Sequence, residues 1–328
     1  PRAGLAAFHA PAGAGRIGLR KHETQPPQQL ELDRSVGASV VIALAAAAVA
    51  LASYGASRWA RRTRAALGRL EAARTPPSRP RYDMHELDGL PAPVQRYFRS
   101  VLREGQPIVA AVTLEHTGAF NMSLAGNRWK PFTSLQRVVT SRPGFVWNAR
   151  IAILPGLPVY VHDGYIASTG ILHAAVLGLF TVAELRGHGT IAQGELMRYL
   201  AEAAWYPTAL LPSEGVHWEV VDDSAAKATL ADGEITVTLT FRFDTAGLIE
   251  SVRSEARGRT VGDAIVMTPW EGRWSNYQER DGMRVPLTGE VAWLLPEGRM
   301  SYWRGSVSSL VFDFPEETLD ASTCATCP

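Results

Sequence analysis

Beyond residue 110 the hydrophobic positions recur with a period of two over much of the chain. Val112, Leu114 and His116 alternate with Thr113, Glu115 and Thr117. Phe145, Trp147, Ala149, Ile151 and Ile153 alternate with Val146, Asn148, Arg150 and Ala152, and Ile235, Val237, Leu239, Phe241 and Phe243 alternate with threonines and Arg242. This period predicts strands with one buried face. Asp232-Gly233 and Asp281-Gly282 are hairpin-turn pairs, and Ala246-Gly247 is a weaker one. Two segments break the pattern. Val94 to Leu102 follows Leu90-Pro91-Ala92-Pro93 and reads as a helix with proline in its first turn. Ile191 to Tyr206 is the strong helix of the region. Short strands on both sides of that helix predict an α+β fold: a curved, mostly antiparallel, half-barrel-like sheet with one or two helices packed across it.

Upstream the pattern changes. Residues 36–56 form an uncharged stretch with Val36, Val40, Val41, Ile42, Leu44, Val49 and Leu51 among many alanines, about the length that spans a bilayer. It predicts an uncleaved N-terminal transmembrane helix, although Ala50-Leu51-Ala52 also has the small-x-small look of a signal cleavage site. Arg58, Arg61, Arg62, Arg64, Arg69, Arg74, Arg79 and Arg81 follow, opposed only by Glu71. Such an excess is normally retained in the cytoplasm. The expected arrangement is a single pass in a bacterial inner membrane, with the main domain cytoplasmic. The expected organisation is a disordered tail over 1–35, a transmembrane helix over 36–56, a basic juxtamembrane linker over 57–81, an α+β domain over 82–315 and a flexible tail over 316–328. Because Met84 is the first methionine, the 1–35 tail is expected to be non-native.

Composition narrows the chemistry. The share of hydrophobic residues, 46%, suits a large core, and a formal net charge of +1 gives no reason to expect nucleic acid. Cys324 and Cys327 are the two cysteines, so no disulfide framework holds the domain, and their CxxC spacing lacks two further zinc ligands. Dinucleotide, P-loop and nucleophile-elbow motifs are absent, the histidines show no metal spacing, and no cofactor is expected. His162-Asp163 and Asp222-Asp223 are weak acid–base candidates, the second reading better as a turn before Ser224. His116, on the apolar side of its strand, reads as a hydrogen-bonded core histidine.

The helix carries two unlike faces. Leu196, Met197, Leu200, Ala201, Ala203 and Ala204 fall on one side and Glu195, Arg198, Tyr199, Glu202, Trp205 and Tyr206 on the other. Glu195, Arg198 and Glu202, at i, i+3 and i+7, have the spacing of a shared ion network. That network reads either as structural or as the wall of a ligand site with Arg198 gripping an anion. Eight of nine tryptophans lie between Trp129 and Trp303, often beside charges, as in Trp147 near Arg150. They suit an aromatic core or a concave apolar cavity. The candidate ligand-binding residues are therefore Glu195, Arg198, Tyr199, Glu202, Trp205, Trp147 and Arg150, with no catalytic or metal-ligating residue singled out.

The runs PGFVWNARI (143–151), GELMRYLAEAAWYPTALLP (194–212), TPWEGRW (268–274), GEVAWLLPEG (289–298) and YWRG (302–305) resemble a bacterial, membrane-anchored domain family of unknown function. That likeness implies no activity. The element order also resembles the half-barrel of bacterial lipoprotein carriers, which implies an apolar cavity closed by helices. The function expected is a membrane-tethered binding module for a hydrophobic or amphipathic ligand such as a lipid. The alternatives are a structural or partner-binding membrane subunit, and an enzyme acting on a membrane-associated substrate through Glu195 and Glu202.

Overall fold

The computed structural model describes residues 27–123, 126–262 and 264–315. The CxxC pair and residues 1–26 lie outside the described residues. Helix α1, Pro27–Ala72, begins inside the stretch expected to be a tail. The chain divides into two units at Leu51/Ala52. In the first, Val40, Val41, Ile42 and Leu44 are exposed. Among the described residues α1 is the one helix long and apolar enough to cross a membrane, with a mean hydropathy of 2.3 in its most apolar window.

In the second unit the alternating segments become strands. β1 (Ala111–Asn121), β2 (Trp129–Val139), β3 (Gly144–Leu154), β4 (Leu157–Ile166), β5 (Thr169–Val176) and β6 (Phe180–Gly187) form one antiparallel meander. β7 (His217–Asp222), β8 (Ala225–Asp232), β9 (Ile235–Phe243), β10 (Ile249–Val261), β11 (Ala264–Arg280), β12 (Met283–Leu295) and β13 (Gly298–Asp313) form a second. The two join where β1 pairs with β13, giving a single 13-stranded curved antiparallel sheet with β6 and β7 at its edges. The hairpin pairs turn as expected: Gly233, Gly247, Asp281 and Gly282 all have positive φ.

Helix α3, Thr190–Glu202, connects β6 to β7 and therefore runs between the two edge strands in sequence. It packs against β3 to β6 of the first meander and against β9 and β10 of the second. Its first turn lies so close to β5 that a Cβ on Gly170 would fall 2.7 Å from the Ala192 nitrogen. Leu196, Leu200, Ala201, Ala203 and Ala204 are fully buried, as expected. The charged and aromatic side is buried as well, because the sheet curves around it: Glu195, Tyr199, Glu202, Trp205 and Tyr206 all belong to the interior. Helix α2, Ala92–Val101, packs on β8 and β12.

Residues 57–81, expected as a basic linker, are helical as far as Ala72, and several of them are built into the outer face of the sheet. Ala66 and Leu70 are buried with Val139, Val146 and Ile166. Trp59 stacks on His162 with ring centroids 4.0 Å apart, and its indole N–H donates to Asn148 Oδ1 at 2.8 Å. Arg58 donates to the Leu179 carbonyl, and Arg62 lies 3.0 Å from His173 Nε2. Arg137 fastens the end of α1 by donating to Glu71 at 2.7 Å and to Asp313 at 2.6 Å. Outward-phase strand residues that alternation would leave in solvent, such as Val146, are covered for this reason.

Candidate functional site

Between α3 and the inner face of the sheet lies a cavity of about 390 Å³. Its apolar wall is largely aromatic, with Trp147, Trp205, Trp270, Trp274, Trp293, Tyr302 and Trp303 beside Phe120, Val291 and Met300, and Asp163, Glu195, Arg198, Glu202, Arg257 and Arg259 supply charge. Three strands present glycine at one level, and two of these glycines make room for the rings. Gly118 of β1 pairs with Gly305 of β13, which pairs with Gly289 of β12. A Cβ at Gly289 would sit 2.5 Å from the Trp274 ring, and one at Gly305 would sit 2.7 Å from the Trp303 ring. The rings also contact one another. Trp205 and Trp274 lie 4.8 Å apart, edge to face, and Phe132 bridges Trp147 and Trp303 at 5.8 and 5.7 Å.

Arg198 is held on every side. Its Nε donates to Glu202 Oε1 at 2.7 Å, one Nη donates to Asp163 Oδ2 at 2.6 Å, and the other reaches Gln136 Oε1 at 3.4 Å. Gln136 returns a hydrogen bond to Glu202 Oε2 at 2.6 Å. The guanidinium lies over Phe145 and Trp147, 4.9 and 5.1 Å from their centroids. Burial alone would lower the Arg198 pKa; the carboxylates of Glu202 and Asp163 more than offset this and raise it, so the charge is kept.

Glu195 has a different environment. It does not join Arg198 and Glu202 as the helical spacing suggested. Its Oε1 is 3.9 Å from an Nη of Arg257, beyond hydrogen-bond length, and its Oε2 is buried without a partner among the described residues. Burial, with the nearby Asp163, holds its carboxyl well above the ordinary carboxylate range, against the opposing pull of Arg257 and Arg198. Arg257 lies over Trp270 at 4.9 Å, and Trp270 Nε1 donates to the Tyr302 hydroxyl at 2.8 Å. The indole N–H groups of Trp147, Trp205 and Trp274 and the Nε of Arg259 are also buried without partners among the described residues.

Of the residues singled out from the sequence, Glu195, Arg198, Glu202, Trp205 and Trp147 line the cavity. Tyr199 does not: it is in the core, and its hydroxyl donates to the Thr140 carbonyl at 3.1 Å. Arg150 is exposed on the outer face, one residue out of phase with the inward-facing Trp147 and Ala149. His162 and Asp163 share no chemistry, since neighbours in a strand point to opposite faces. His162 Nε2 lies 2.7 Å from the Thr63 hydroxyl on α1 and Asp163 meets Arg198. Asp222 caps a turn by accepting from the Ser224 N–H at 2.7 Å. His116 is buried beside Trp205 with Ser134 at 3.3 Å, and burial pushes its pKa down to about 3.

Gln136, Asp163 and Arg257 were not found as members of the site. Gln136 carried a signal, because it takes an inward phase of β2 between Ser134 and Val138, where a polar residue needs a partner. Arg257 carried none. A β-bulge in β10 sets Ser254 opposite Trp270 but Arg257 opposite Thr268, and the extra residue turns Arg257 inward against the alternation.

A family model described as "Family of unknown function (DUF6920)" matches residues 88–312. No curated protein matches the chain. Among solved structures, a LolA superfamily protein from Nitrosomonas europaea is similar at 12% identity, with a TM-score of 0.36, covering 67% of this chain and 94% of that one. A beta-barrel-like protein of the domain of unknown function DUF1849 from Brucella abortus is similar at 12% identity, with a TM-score of 0.24, covering 62% of this chain and 98% of that one.

Proposed function

This chain belongs to the DUF6920 family of unknown function, and for it we propose the role of a membrane-tethered module that binds a hydrophobic or amphipathic ligand such as a lipid. The observation that carries the reading is the cavity itself, an aromatic-walled space of about 390 Å³ within an otherwise densely filled interior. A folded protein usually closes such a space, because unfilled apolar volume costs stability. Here the glycines at 289 and 305 accommodate the rings that bound it. Apolar walls with a few polar groups are the usual make-up of a small-molecule site.

The test is native mass spectrometry of the full chain in nanodiscs, together with quenching of tryptophan fluorescence by 12-bromododecanoate. The expected result is a co-purifying amphiphile or saturable quenching above that of empty nanodiscs. Neither signal, with the fold intact by circular dichroism, would overturn the reading.

The tether in this reading is the apolar part of α1, uncleaved, with the main domain in the cytoplasm of a bacterium. Reporter fusions after Phe314 test the side: alkaline phosphatase activity there would reverse the assignment. Arg61 and Arg64 are the arginines to replace in such work, since both side chains are exposed, whereas Arg58 and Arg62 contact the sheet. Arg61→Gln with Arg64→Gln is expected to weaken the orientation without disturbing the fold.

A further inference from the structure

Resting on the reading of the cavity as an amphiphile site, we infer that Arg257 is the seat of an anionic headgroup, so that the ligand is an acyl-chain amphiphile ending in a carboxylate or phosphate. The cavity has two buried guanidiniums in opposite situations. Arg198 is saturated by Glu202, Asp163 and Gln136 and has little left to offer a ligand. Arg257 is equally enclosed, yet its one ion-pair contact among the described residues is Glu195 at 3.9 Å, and it makes no hydrogen bond there. None of its nitrogens is shut off from the cavity, so its donors are open to a ligand there, and a largely buried cation is costly unless an anion offsets it. Its guanidinium is oriented by Trp270, which Tyr302 holds in place through a 2.8 Å hydrogen bond. A forked donor fixed in this way suits the two oxygens of a carboxylate or phosphate.

The surrounding groups agree in sign. Asp163 and Glu202 are committed to Arg198, which leaves Arg257 and Arg259 without a committed anionic partner on the wall. Glu195 would neutralise Arg257 if it were ionised, but burial favours its protonated form. The aromatic remainder of the cavity takes the chain.

The experiment compares dodecanoate, dodecyl phosphate and 1-dodecanol, titrated by calorimetry into the full chain in nanodiscs against empty nanodiscs. The carboxylate and the phosphate are expected to bind on the order of tenfold or more tightly than the alcohol, the difference a charge-assisted hydrogen bond makes. Whichever anion binds more tightly identifies the headgroup source. In Arg257→Gln the preference is expected to vanish while 1-dodecanol still binds, and Arg257→Lys is expected to keep part of it. Equal affinities for all three probes in the unsubstituted chain would overturn the headgroup assignment and leave the cavity reading standing. Binding of none of them would overturn both. The first comparison needs no variant, so a failure of Arg257→Gln to fold would not rescue the assignment.

Discussion

Arg198 on α3 and Asp163 on β4 meet at 2.6 Å inside the sheet, so the helix is held to the first meander by a charge as well as by apolar contact. Glu202 shares the same guanidinium, and both of its oxygens are engaged, one by Arg198 and one by Gln136. Replacing Arg198 by methionine keeps most of the side-chain volume and strands two carboxylates in the interior. Arg198→Met is expected to cost about 3–5 kcal/mol, the usual result of breaking a buried pair. Urea unfolding followed by circular dichroism measures it, and a loss near zero would mean that the cluster adds nothing to the fold.

Glu195 makes stability depend on pH in the opposite direction from an ordinary carboxylate. Its folded-state pKa lies above the unfolded value of 4.5, mainly through burial. The stability that the protonated form contributes is complete below about pH 4.5 and is lost as pH rises through the folded value. Glu195→Gln removes that loss. Its stability relative to the unsubstituted chain is expected to improve as pH rises above 4.5 toward the folded value of Glu195. A constant difference above pH 4.5 would show that Glu195 is ionised in the folded protein just as it is in the unfolded one.

His162 acts on the acid side. It is enclosed by Trp59 and Thr63 of α1 and lies near His173 and Arg62; burial first, and then those two neighbours, push its pKa down from 6.5 to about 4. The stability it contributes is present above pH 6.5 and is lost as pH falls through about 4. His162→Asn, measured by denaturant unfolding across that window, is expected to reduce the acid-induced loss. An unchanged slope would place the acid sensitivity elsewhere.

The glycine row predicts a steric effect. A methyl group at 289 would fall 2.5 Å from the Trp274 ring and 3.3 Å from the Trp303 ring. Gly289→Ala is therefore expected to cost about 1–3 kcal/mol, as overfilled interiors do, and to shift the tryptophan emission spectrum. An unshifted spectrum with full stability would mean that the rings have space to spare.

The sheet was legible because most of its strands bury one face, and alternation reports that directly. The α3 helix was legible for its apolar side, Leu196 to Ala204. Its charged side was less so, since helical spacing suggested that Glu195, Arg198 and Glu202 act together. Arg198 and Glu202 do, whereas Glu195 turns to Arg257, a strand residue displaced inward by a bulge that no periodicity reveals. The place of Arg150 is hidden for a simpler reason. Its proximity in sequence to Trp147 suggested a shared site, but a separation of three in a strand puts the two on opposite faces. The arginines after residue 56 read as a topology signal, while Trp59 and Leu70 among them are buried and join the domain.

The pairing of β1 with β13 also has a consequence in time. β1 acquires β2 as soon as the next hairpin is made, but its other edge is matched to Gly298–Asp313, the last strand of the domain to leave the ribosome. Throughout synthesis of the intervening chain that edge is an open template of unpaired backbone groups, the kind that recruits foreign strands. Protection of the β1 amides facing β13 is accordingly expected to appear only when translation has passed Asp313. Nascent chains in which β13 has not yet emerged would then be the aggregation-prone species, and those from which it has emerged the first with a sealed sheet.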